Sequence, residues 1–183
     1  MKKRLIVFLI GVGLLMLAGC DMIRANTSRV KEAHLLTTAP ELYLSDSLAS
    51  VINEFRIQSG NYTWNYLDKA EVVSLIACGS HPLDDARIKE EVLKLPEYNK
   101  IDYVPYTVSC VVAPDKMIIN EWDSTDIGNI EATLLSSATY EQVSIVELKP
   151  DRVYEMIAIW SAENLEVNGF HGQASYVCTT SKQ

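Results

Sequence analysis

The sequence is poor in groups that do chemistry. Its 183 residues hold three histidines, and none are paired at helix-face spacing. GxSxG, HExxH and SxxK are absent, so no nucleophile elbow, zincin helix or serine–lysine dyad is assigned. Four cysteines occur with no CxxC or His-rich spacing, which leaves a structural zinc site unsupported. Basic residues are also scarce. Beyond residue 19, 13 Lys and Arg face 24 Asp and Glu, a net charge of −11. That surface repels phosphate backbones and anionic lipid, and disfavours nucleic acid as a partner. No apolar run approaches the roughly 20 residues a spanning helix needs. No catalytic residue, metal or cofactor is assigned on these grounds.

What is present begins with an export signal. Lys2, Lys3 and Arg4 precede an apolar run from Leu5 to Leu17, broken only by Gly11 and Gly13. Such a run suits the apolar core of a signal peptide rather than a bilayer span. Leu17-Ala18-Gly19-Cys20 follows and resembles the bacterial lipobox, in which small residues admit the peptidase and the cysteine is lipidated. The resemblance implies cleavage before Cys20, acylation there, and attachment to the extracytoplasmic face of the cytoplasmic membrane. Several acyl chains hold stably where one is marginal. Asp21 resembles an inner-membrane retention signal in a two-membrane bacterium. Residues 1–19 are thus read as signal peptide and 20–40 as a lipidated tether, leaving 41–183 as one domain.

Within that domain the pattern is mainly β. Strands are expected at Glu41–Leu44, from about residue 51 to Ile57 into a Gly60-Asn61 turn, at Tyr62–Tyr66 and at Val72–Ala77. Leu48, Val51, Ile52 and Phe55 also fit helical spacing, so the second of these strands competes with a helix. Ile88, Val92 and Leu95 repeat at i, i+4 and i+7, predicting one short amphipathic helix over 85–95, stopped by Pro96. Further strands are expected at Tyr106–Val112, Met117–Trp122, Ile130–Leu135, Val143–Leu148, Tyr154–Trp160 and Gln173–Thr179. Turns at Pro114-Asp115, Asp126, Pro150-Asp151 and Asn168-Gly169 separate most of them. The predicted fold is an antiparallel β-sandwich with an N-terminal β-hairpin and one short α-helix. Residues 41–103 hold the hairpin and helix, and 104–183 the main sandwich.

Leu148-Lys149-Pro150-Asp151-Arg152-Val153-Tyr154 resembles the L-x-P-x-x-x-Y corner of fibronectin type III domains, and Trp122 the core tryptophan of those sandwiches. Cys110, Trp122 and Cys178, with Tyr176 two residues before the last, resemble the immunoglobulin Cys…Trp…Cys pattern. Only five residues follow Cys178, so the fibronectin-like order is implied, with Cys178 on the last strand. The resemblance points to a Cys110–Cys178 bridge, with Cys78–Cys110 and no bridge as alternatives. Tyr62-Thr63-Trp64-Asn65-Tyr66, His81-Pro82-Leu83 and Pro114-Asp115 leading to Trp122 together are similar to small Firmicutes-type lipoproteins built as one domain, a likeness that carries no catalytic residues.

Candidate binding residues are Trp64 and Phe170, if their aromatic faces are exposed, and His81. Aromatic stripes on strands are more often core. His81 with Cys78, Asp84 and Asp85 would form a small acid–base or metal cluster, although the aspartates could equally cap a helix. His171 is expected in a hairpin loop and His34 in the tether. The functional expectation is a non-enzymatic envelope binding module for a protein, peptide or glycan. An enzyme or metal-binding protein acting near His81 is the alternative.

Overall fold

The computed structural model describes residues 36–49, 54–84, 92–98 and 102–183, all within the compact unit Leu35–Gln183. The chain is a sandwich of two sheets. The first has the order β2-β1-β6-β9, from β1 (Leu42–Asp46), β2 (Glu54–Ile57), β6 (Val104–Ser109) and β9 (Ile145–Leu148). The second has the order β4-β3-β11-β10-β7-β8, from β3 (Ser59–Asp68), β4 (Glu71–Ala77), β7 (Lys116–Asp123), β8 (Ser136–Glu141), β10 (Arg152–Trp160) and β11 (Phe170–Lys182). β5 (Val92–Leu95) joins it as a seventh strand, parallel to the end of β11. One short helix, α1 (Glu163–Asn168), precedes β11, and Gly169 ends it in the left-handed conformation.

β1-β6-β9 against β8-β7-β10-β11 places three strands opposite four, with β11 last and Cys178 on it. Cys178 thus sits on the last strand, where it was expected. The corner forms as well: Lys149 N–H donates to Tyr154 Oη at 2.9 Å, across a turn in which Asp151 has φ 57°.

Strand alternation sorts the side chains. Tyr154, Met156, Ala158 and Trp160 of β10 face the core with Ala174, Tyr176 and Cys178 of β11. Trp64 lies at its centre, stacked on Phe170 and edge-on to Trp160, each at 5.1 Å. A Cβ on Gly172 would meet the Thr63 carbonyl oxygen at 2.2 Å and the Trp64 ring at 2.9 Å. β11 can therefore pass Trp64 only with glycine there.

Several expectations are corrected. Val92–Leu95 is strand rather than helix, with Leu93 and Leu95 buried and Val92 and Lys94 exposed; residues 85–91 lie outside the described residues. Gly60 and Asn61 are inside β3, and β2 and β3 belong to different sheets. The hairpins are β1–β2 and β3–β4. The latter turns at Lys69 and Ala70, both at positive φ as a two-residue turn of this twist requires. Ile130–Leu135 is loop, and the strand begins at Ser136.

The end of the expected tether docks on the domain. Trp64 Nε1 donates to the Leu36 carbonyl at 2.7 Å, and Tyr176 Oη to the Pro40 carbonyl at 2.6 Å. Residues 36–40 thus cap buried aromatic donors. Cys20, Asp21 and His34 lie outside the described residues.

Candidate functional site

Trp64 and Phe170 are 0% and 1% exposed. Neither can stack on a ligand, so their expected exposed role is corrected: both are core, because β3 and β11 turn these positions towards the facing sheet. Trp122 is corrected in the opposite sense. It lies outside the inter-sheet core, on the outer face of the large sheet, packed with Leu83, Val153 and Val177.

His81 is exposed. Its Nδ1 accepts the Leu83 N–H at 3.1 Å, and its ring stands edge-on to Trp122 at 6.1 Å. One ring nitrogen is therefore used in shaping the turn. Among the described residues no group of three His, Cys, Asp or Glu is placed to hold a metal, and Asp85 lies outside them. Leu83 is fully buried, and its carbonyl accepts the Gly128 N–H at 2.8 Å. Residues 81–84 are thus a strap laid over one end of the outer face.

Among the described residues Cys78, Cys110 and Cys178 form no disulfide with one another, so the Cys110–Cys178 bridge is not formed. Cys110 follows β6 of the smaller sheet, and Cys178 lies within β11 of the larger. Burial pushes the Cys110 thiol up. Cys78 is exposed.

Beyond the strap the outer face of the large sheet is open. β3, β4, β10 and β11 form a groove there of about 320 Å³, at the small end of the roughly 300–1,000 Å³ of ligand sites. Ser175, Glu155 and Ile157 line it from β10 and β11, and Thr63, Ile76 and Cys78 from β3 and the chain at the end of β4. Register explains the assembly. Ile157 is opposite Ser175, and Thr63 lies between Gln173 and Ile76, so these positions alternate with the core residues. The pairing of β3 with β11 shifts register between Ala174 and Tyr176, which interrupts the ladder beside Ser175. Asn61 ties down the next loop, accepting from Gly79 N–H and donating to the Ser80 carbonyl.

A polar chain runs from the groove across β10 to β7 and β8. Ser175 Oγ donates to Glu155 Oε1 at 2.7 Å, and Asn120 Nδ2 to Glu155 Oε2 at 3.0 Å. Ser137 Oγ donates to Asn120 Oδ1 at 2.7 Å. Ser175 is 6% exposed, while Ile76 at the rim is 73% exposed. The arrangement offers a hydrogen-bonded carboxylate between apolar walls, which suits recognition.

None of these groove residues was singled out from the sequence except Cys78. The available signal was Glu155, a lone acid within the otherwise apolar run Val153–Trp160.

The chain matches no family model, no curated protein and no solved structure.

Proposed function

We propose that this chain is a lipid-anchored envelope protein, held by Cys20 on the extracytoplasmic face of the cytoplasmic membrane. There it works as a non-enzymatic binding module whose recognition surface is the groove on the large sheet. The anchor rests on the lipobox-like Leu17-Ala18-Gly19-Cys20 and the basic and apolar segments before it. The observation that carries the binding role is the open outer face, with its half-buried, hydrogen-bonded Glu155 beside exposed Ile76. Large apolar side chains next to an oriented polar group are the usual composition of a recognition patch.

Cys78 supplies the test, because it is an exposed thiol at the groove. The Cys20-anchored chain is crosslinked to its neighbours in native membranes, with and without prior attachment of a bulky maleimide to Cys78. A partner identified by mass spectrometry and lost on blocking is expected. Equal capture of that partner by the blocked chain would move recognition away from the groove.

A further inference from the structure

Two carboxylates sit mid-strand on the large sheet, in different company. Glu121 points inward, is 7% exposed, and is matched by cations: Arg152 Nε at 3.1 Å and Lys149 Nζ at 3.7 Å. Glu155 lies on the neighbouring strand and faces outward into the groove. Among the described residues it is held by the neutral donors Ser175 and Asn120, and no Lys or Arg there forms an ion pair with it.

We propose that the groove receives the ammonium group of a lysine side chain from a polypeptide partner, with Glu155 as its counter-ion. The inference rests on the groove being the recognition surface. Hydrogen bonds from Ser175 and Asn120 fix the direction of the carboxylate. They occupy two of its roughly four acceptor sites, leaving the others for a ligand. A half-buried carboxylate without a cation forgoes Coulomb energy that an arriving cation supplies, and the acidic surface draws that cation in.

Ammonium fits better than guanidinium. An arginine fork seeks both carboxylate oxygens side-on, and here each oxygen already carries a hydrogen bond from the sheet. An ammonium is a compact donor of three hydrogens. It can take one lone pair from Glu155 and others from hydroxyl or amide oxygens of Ser175, Thr63 and Gln173, which line the same groove. Ile157 and Ile76 give its four-carbon stem an apolar wall. The volume suits one long side chain, and the flat sheet around it leaves room for the partner's backbone. A free amine would gain the same ion pair without those flanking contacts.

The test titrates the full chain with a short acetylated, amidated peptide holding one lysine between glycines, followed by amide chemical shifts. The controls are the same peptide with norleucine and n-butylammonium. Saturable shifts at Glu155, Ser175 and Gln173 are expected with the lysine peptide. Affinity should fall by about tenfold or more with norleucine and in Glu155→Gln, the size of one charge-assisted contact. Ile157→Lys, which places a cation two residues from Glu155 on the same face, should also abolish binding. Butylammonium should bind more weakly than the peptide; equal binding would overturn the polypeptide source in favour of a free amine. Norleucine and lysine peptides binding alike, or no groove shifts with either, would overturn the ion pair. The two levels separate cleanly. If Cys78 blocking removes a membrane partner that Glu155→Gln captures as well as the unmodified chain, the groove stands and the lysine falls.

Discussion

Tyr154 shows how one residue can fix a corner of this fold. Its hydroxyl accepts the Lys149 N–H, and its ring is 2% exposed in the core. Burial raises the phenol far above its ordinary range, so it stays a neutral acceptor at any working pH. Around it, Thr180 Oγ1 donates to the Lys149 carbonyl at 2.6 Å, and Arg152 reaches Glu121 and Asp123. Tyr154→Phe keeps the ring and orphans one backbone donor, which costs about 1–2 kcal/mol. A fall of roughly 2–8 °C in thermal midpoint is therefore expected, and no change would make the bond incidental. This residue was legible in the sequence because its motif is local: turn, spacing and tyrosine lie within seven positions. Trp64, Trp122 and Phe170 were not legible in the same way. Which face of a strand an aromatic occupies depends on what the sheet packs against, and alternation gives the two faces without saying which is inside.

Elements were readable where a strand has one buried face. β7 and β10 alternate and run close to their expected bounds. β8 was misplaced because it is an edge strand, Ser136-Ser137-Ala138-Thr139-Tyr140-Glu141, with little burial to pattern it. β5 reads as helix in the sequence because Val92 and Leu95 suit a helical repeat as well as Leu93 and Leu95 suit a strand. Four residues cannot separate the periods, and pairing with β11 decides. Among the described residues, helix α1 has no side-chain cap of its own. Asp115, from the turn before β7, instead braces the chain entering α1, accepting from Ser161 N–H and Asn164 Nδ2 at 2.7 Å each.

Those bonds, the Ser161 backbone first, hold the Asp115 carboxyl below its ordinary range. A lowered folded value means stability present above the unfolded pKa of about 3.9 and lost as pH falls through the folded one. Asp115→Asn should therefore destabilise the chain at pH 7 by about 1 kcal/mol. The gap to the parent should close on acidification below about pH 4, as read from urea midpoints. A pH-independent gap would assign the effect to geometry alone.

At the scale of the whole molecule, two sheets bury one face of each other and leave the other faces to solvent and partners. The sandwich class followed from short alternating strands and their turns. The groove did not, because Thr63, Glu155 and Ser175 are more than a hundred residues apart at the extremes and meet only through register. Two mid-chain loops divide the outer face: residues 81–84 and Ile127 close one end over Trp122, and the groove remains beyond them. With the proposed tether at Cys20, such a face would turn a fixed address into a fixed contact.

Photo-crosslinking from that face tests the account most directly. A photoreactive amino acid is placed at Thr63 in the groove or at Glu147 on the outer side of the smaller sheet, in the anchored chain and in Cys20→Ala. The account predicts one identified adduct from Thr63 and none from Glu147, with both adduct and membrane attachment lost in Cys20→Ala. The same partner captured from Glu147 alone, or undiminished attachment without Cys20, would contradict it.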